Sequence, residues 1–368
     1  MSRFITLAIH TYEKAVALRA SLEKEGIQAE LHNVNLEVPG FSSGVRVRIQ
    51  EDDLPLALRV VENPELFCED VSGGQNRVFL VPVDFSEHSF KGAQVASHIA
   101  ASMKASITLL YSYINPYIAG TIQLTDAYTY EIGETGAREQ ITDNARKIME
   151  HFADRLRQSM KKGEIPAVKI NTEVSEGVPE DAIVDYAKMH KPHLIVMGTR
   201  SARKKESEMI GSITAEVLDE GRFTVLTVPE PLAMHDSLQP KNILFFSNID
   251  QNDILAMDAL YRTFGTEDAS VTIVHIPKKS RFSERSADKA LKRLSDYCRN
   301  NFKHYHFVSV PVNRTRSDEE FAQLQNENHF DLVVLPNRRR NALSRLINPG
   351  LAHRLLFQSD IPMLVIPV

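Results

Sequence analysis

Leu194-Ile-Val-Met-Gly-Thr-Arg-Ser201, followed ten residues later by Gly211-Ser212, is the stretch on which the fold of this chain turns. An apolar run ends in a glycine, a polar basic loop follows, and a second glycine with a serine opens a segment of helical character. A helix N-terminus reached in this way offers unpaired N–H groups and a positive dipole end, which suits phosphate. An altered version lies near the C-terminus. There, Asp331-Leu-Val-Val-Leu-Pro336 leads through Arg338-Arg-Arg340 to Pro349-Gly350. The interval from Gly198 to Gly211 equals that from Pro336 to Pro349. The chain therefore holds two copies of one unit, one intact and one changed at its glycines.

Outward from this stretch, strands and helices alternate. Val78–Val83 reads as a short buried strand, and Asp84-Phe-Ser-Glu-His-Ser89 as a turn and helix cap. A small-residue helix runs to Met103 and is followed by a strand over Ile107–Ser112. A polar loop then crosses to a helix ending near Lys162. Val168–Val174, Leu194–Met197 and Phe223–Val228 are further strands, with helices over Pro179–His190 and Gly211–Asp219. The pattern restarts at Asn242–Phe246. It continues through helices over Asp253–Phe264, Ser283–Phe302, Asp318–Glu327 and Leu351–Phe357. Its other strands fall at Ser270–Ile276, Phe307–Val312, Asp331–Leu335 and Met363–Ile366. Such alternation predicts an α/β fold with parallel sheets covered on both faces. Ligands on these sheets sit beyond the carboxyl ends of the strands, where Asp84, Ser112 and Gly198 all fall.

Residues 1–68 read differently, as a small α+β module of about two helices and three strands. Gly26 stops its first helix, and Glu51-Asp-Asp53 opens its second. The expected domains are thus 1–68, 77–229 and 240–368, joined by polar linkers. Ser72-Gly73-Gly74 is a linker rather than a pyrophosphate loop, because it precedes a strand instead of capping a helix.

A net charge of -5 gives no global attraction for nucleic acid or anionic membrane, and no apolar run is long enough to span a bilayer. Cys68 and Cys298 lie far apart and give neither a disulfide framework nor metal-ligand spacing. No secretory signal pattern opens the chain, so a cytoplasmic location is expected.

Val81-Pro-Val-Asp-Phe-Ser-Glu-His-Ser89 and the Gly198 loop together resemble a tandem universal stress protein. The family signature is G-x2-G-x9-G-[ST], and this chain presents Gly198, Ser201, Gly211 and Ser212 at its marked positions. The N-terminal module, through its Thr11-Tyr-Glu-Lys-Ala-Val-Ala-Leu18 helix, Glu25-Gly-Ile27 and Gly44-Val-Arg-Val47, resembles a small domain family of prokaryotic signal-transducing proteins. The first resemblance implies two Rossmann-like five-stranded sheets of order 3-2-1-4-5 and a bound adenine nucleotide, ATP, with or without Mg²⁺. Asp84 would lie against the adenosine and the backbone of Ser112 would face the base. Gly198, Gly211 and Ser212 would hold ribose and phosphates, with Thr199, Arg200 and Ser201 completing the loop. Family members also pair their fifth strands across a dimer axis. The two copies here would pair internally as a pseudo-dimer, and a homodimer is a further option.

The departures bear on function. Ser201 replaces a glycine, which costs about 1 kcal/mol or more if that position needs positive φ. Arg203-Lys-Lys205 is a solvated charge run or an attractor for a triphosphate tail. His193 stands where the family often has an acidic residue. In the second copy Pro336, Arg339, Pro349 and Gly350 take the signature positions, and Asn248 and Phe246 replace Asp84 and Pro82. Proline has no N–H to offer an anion, so this pocket should be closed or altered. Arg338-Arg-Arg340 and Arg345 form a basic surface that could still draw an anion. Three functions compete: a nucleotide-binding stress regulator, a scaffold of the family's branch without nucleotide, and an adenylating or amidotransferase enzyme. The signatures of the last are absent, so no enzymatic activity is expected.

Overall fold

The computed structural model describes residues 4–10, 12–33, 45–62, 77–114, 131–200, 212–232, 239–249, 252–264, 268–275, 284–302, 304–311, 324, 327–337 and 360–367. Cys68, the Ser72-Gly73-Gly74 linker, Ser201, Arg203–Lys205, Gly211, Arg338–Arg340, Arg345 and Pro349-Gly350 lie outside the described residues. So do the helix expected over 351–357 and nearly all of that expected over 318–327.

The chain divides into two compact units, Met1–Gln75 and Asn76–Val368. In the first, β1 (Phe4–His10), β2 (Ala29–Asn33) and β3 (Val45–Gln50) form an antiparallel sheet in the order β1-β3-β2. Helices α1 (Tyr12–Lys24) and α2 (Leu54–Glu62) bury Ala15, Leu22, Ala57 and Val60 with Val47 and Ile49 of the sheet. Gly26, at φ +79°, ends α1. Its N–H reaches the Glu23 carbonyl and that of Ile27 the Leu22 carbonyl, satisfying two end carbonyls. Glu51–Asp53 form a separate 3₁₀ turn leading into α2 rather than its first turn.

In the second unit the first half runs β4 (Val78–Pro82), α3 (Glu87–Ser102), β5 (Ser106–Tyr113), α4 (Glu131–Lys161), β6 (Ile170–Glu176), α5 (Pro179–His190), β7 (Leu194–Thr199), α6 (Ser212–Glu220) and β8 (Val225–Pro229). The second half runs β9 (Asn242–Phe246), α7 (Asn252–Phe264), β10 (Ala269–His275), α8 (Glu284–Asn301), β11 (Tyr305–Pro311), β12 (Leu332–Asn337) and β13 (Met363–Pro367). All ten strands join one sheet, in the order β11-β10-β9-β12-β13-β8-β7-β4-β5-β6. Pairing is parallel within each half, for example Val78↔Ser106 through Pro82↔Leu110. At the centre β13 and β8 pair antiparallel, with Met363↔Thr227, Leu364↔Leu226 and Val365↔Val225. The matching strands thus meet about a local two-fold at Leu226 and Leu364, and neither presents an open edge.

Both faces of this sheet carry apolar side chains of both halves. Phe79, Val81, Ile107 and Val196 share one cluster with Ile243, Phe245 and Val271, while Leu80, Ile195 and Met197 share the other with Leu244, Val333 and Met363. Helix α4 places Met149, Phe152, Ala153 and Leu156 in the first cluster. That is the i, i+3, i+4, i+7 spacing of a helix with one buried face. Burying each such large side chain contributes about 1.5–3 kcal/mol, so the two halves stabilise each other through a common core.

Candidate functional site

From β4 the chain proceeds to β5 and β6 on one side of the sheet, and from β7 to β8 on the other. The crevice beyond the carboxyl ends of β4 and β7 is therefore a topological switch point. Asp84 lies just past β4, Ser112 near the end of β5, and Gly198, Thr199 and Arg200 at and beyond the end of β7. These three strands are neighbours, so the fold brings the residues to one rim. Ser212 opens α6 and is exposed, as is Arg200.

The Asp84 loop is wired locally. Ser86 is the N-cap of α3, and its hydroxyl accepts from the Ser89 N–H at 3.2 Å. Asp84 Oδ1 accepts from the Ser86 N–H at 3.1 Å and from the Ser86 hydroxyl. His88 Nε2 lies 3.2 Å from Asp84 Oδ2, one helical turn on. Partial burial pushes the Asp84 carboxyl upward, but hydrogen bonds from His88, Ser86 and Ser89 together hold it well below the usual carboxylate range. Asp84 is thus an ionised, acceptor-only group, and its side chain is 59% exposed and reachable by a ligand. Phe85 holds this turn at φ 64°, with its ring 4.4 Å from that of Tyr111 and 5.7 Å from that of Phe152. A bulky residue at positive φ is unusual, and here aromatic packing holds it there.

Gly198 has a packing role as well as its place in the signature. A Cβ there would overlap the His88 carbonyl and come within 2.8 Å of the Ser89 nitrogen. Gly92 of α3 faces the same contact, and a Cβ on it would lie 2.9 Å from the Gly198 nitrogen. Two glycines therefore let the first turns of α3 sit directly on the end of β7.

Ser112 donates its hydroxyl to the Gly177 carbonyl at 2.6 Å, tying β5 to the turn after β6. Thr199 is only 2% exposed, and its carbonyl accepts from the Glu230 N–H at 3.0 Å. Strand alternation sets its side chain on the face opposite to that used by Gly198. What Thr199 can offer a ligand is backbone. His88, Ser86 and Gly92 were not singled out from sequence. A glycine inside a helix was the available signal, because it weakens the helix unless something approaches closely.

The second half is wired inward at the matching place. Asp253 is fully buried, taking the Ser247 hydroxyl at 2.7 Å on one oxygen and the Asn248 N–H at 3.0 Å on the other. Burial raises its carboxyl from 3.8 to about 6, partly offset by hydrogen bonds from Asn248, Ser247 and Ile249. Ile249 repeats the left-handed turn of Phe85, at φ 55°. The Asn248 amide lies 3.5 Å from the Pro336 carbonyl, closing the rim between β9 and β12. Among the described residues there is no group of three or more potential metal ligands, and no helix long and apolar enough to cross a membrane.

The chain is 29% identical over 164 residues to universal stress protein MJ0531 of Methanocaldococcus jannaschii, spanning 44% of this chain and 88% of the relative. It is 25% identical over 154 residues to universal stress protein YxiE of Bacillus subtilis, spanning 40% of this chain and 96% of the relative. A crystal structure of a universal stress protein from Archaeoglobus fulgidus aligns with 80% of this chain and 99% of its own, at 17% identity and a TM-score of 0.49. The family model described as the universal stress protein family matches residues 75–229 and again 253–367, so the chain belongs to the universal stress protein family, with two of its domains in tandem.

Proposed function

We propose that this protein is a stress-response regulator that binds an adenine nucleotide, ATP with or without Mg²⁺, in the first half of its sheet. On this reading the second half is a built-in pseudo-dimer partner, and the chain is not an enzyme. The observation that supports it most is the gathering of Asp84, Ser112, Gly198 and Arg200 on adjacent strand ends at the switch point. An acceptor-only carboxylate suits the amino and hydroxyl donors of an adenosine. Arg200 and the start of α6 suit its phosphates. The second half favours a single site, because Asn248 stands in the place of Asp84 with its amide on the Pro336 carbonyl, and the neighbouring Asp253 is buried and engaged. Calorimetric titration of nucleotide-free protein with ATP and Mg²⁺ should give one site per chain. Two equal sites, or no heat, would refute the reading.

One observation favours the scaffold alternative. The contact between Gly198 and His88 is enough to require glycine there with no ligand at all. Native mass spectrometry of freshly purified protein separates the two readings, since a carried nucleotide mass belongs only to the first.

A further inference from the structure

Helix α6 belongs to the first half of the second unit, but its C-terminal turn touches the second half. Its first residue, Ser212, follows the glycine loop of the first half. Its C-terminal turn ends with carbonyls that the helix itself cannot satisfy. One of them, on Leu218, accepts from the Gly221 N–H at 3.2 Å and also from the Asn337 side-chain amide, again at 3.2 Å. Asn337 is the last residue of β12, next to the Pro336 rim of the second half, and is only 3% exposed. Val217 and Leu218 pack in the same cluster as Leu335, Met363 and Val365. The matching residue of the first half is Thr199, whose buried hydroxyl has no hydrogen-bond partner among the described residues. The two halves are therefore not equivalent at this position.

We infer that Asn337 is a positioning residue for the nucleotide site of the first half, acting through α6. It fixes the C-terminal end of that helix, and a nine-residue helix moves as one piece, so it also sets where the Ser212 end stands. This rests on the nucleotide reading above and adds to it that the second half tunes the affinity of the first. Coupling of this kind is reciprocal, so nucleotide should in turn firm up β12.

The test uses the full chain. Asn337→Ala removes the donor, and Asn337→Thr installs the residue that the first half already carries at this position. Loss of one neutral hydrogen bond should weaken ATP binding by about two- to tenfold in calorimetry. Thr227→Val is the control. It removes another hydrogen bond between the halves, the 3.5 Å one to the Met363 carbonyl, and should leave the affinity unchanged. Hydrogen exchange supplies a readout that a merely structural role would not move. ATP should slow exchange at Val333–Leu335 in the wild-type protein, and not in the Asn337 variants. ATP binding by the wild-type protein without slower exchange in β12 overturns the inference even if neither variant folds. Equal affinity in a folded variant overturns it too. No ATP binding by the wild-type protein refutes the nucleotide reading itself, and this inference with it.

Discussion

Asp253→Asn should change how stability depends on pH, and the buried carboxylate sets the size of the effect. Folding moves its pKa from 3.8 to about 6. At the usual 1.36 kcal/mol per unit this is about 3 kcal/mol. Below about pH 4 the group is protonated in both states and carries no penalty. As pH rises from about 4 to 6 the unfolded chain releases the proton first, so the unfolded state gains and stability falls. Above about pH 6 the full penalty remains. The asparagine amide keeps the shape without titrating. Its oxygen can accept from the Asn248 N–H while its NH₂ donates to the Ser247 hydroxyl, which turns to accept, so the exchange costs at most about 1 kcal/mol. The variant should therefore be less stable than wild type by at most about 1 kcal/mol at pH 4 and more stable by about 2 kcal/mol at pH 7.5. Urea unfolding of both proteins across this range measures the difference directly. A difference that stays flat from pH 4 to pH 7.5 would refute the argument, because Asp253 would then titrate as an ordinary surface carboxylate.

Gly198→Ala should destabilise the second unit by about 1–3 kcal/mol or more, because the new Cβ meets the backbone of His88 and not a side chain that can swing away. A urea midpoint equal to wild type would show that α3 and β7 can part freely. Deleting residues 241–368 should uncover the β8 edge and the apolar side chains it shares with β13, so that the shortened chain self-associates or precipitates. Light scattering from a stable, soluble monomer would show that the halves do not depend on each other.

The alternation of apolar runs with helical segments places every described strand of the second unit to within a few residues, and most sharply the inner ones such as β4, β7 and β8, whose burial on both faces leaves few polar positions to blur the pattern. The positions of Asp84, Ser112 and Gly198 at strand ends follow from that reading alone. What did not follow depends on contacts between distant segments. Asn337 lies 119 residues from Leu218, and no local pattern connects them. Asp253 looks like an ordinary acidic residue in the first turn of a helix, and only tertiary packing makes it a buried carboxylate. Phe85 and Ile249 gave no sign of positive φ, because bulky and β-branched residues normally avoid it. Gly198 was legible as a glycine that something approaches. The sequence could not say that a helix backbone is among the things approaching it.

The two left-handed residues bear on why one crevice differs from the other. Phe85 and Ile249 occupy the same place after the first strand of each half, at φ 64° and 55°. Holding such a residue there costs about 1–3 kcal/mol. Both halves bear that cost, although only the first keeps an aspartate at the rim. The turn is therefore a requirement of the fold, needed to bring the chain from strand to helix, and not a mark of ligand binding. The difference lies in where each half keeps its carboxylate. In the first half Asp84 points outward, ionised and supported by His88 and Ser86, and can still meet a donor from outside. In the second half Asp253 points inward and takes the hydroxyl of Ser247 and the N–H of Asn248 for itself. The same turn thus carries an outward carboxylate in one half and a buried one in the other. The second half contributes Asn337 to the C-terminal turn of α6, a helix of the first half. A copy whose own signature positions are altered can in this way still be selected for the position of a helix that it does not contain.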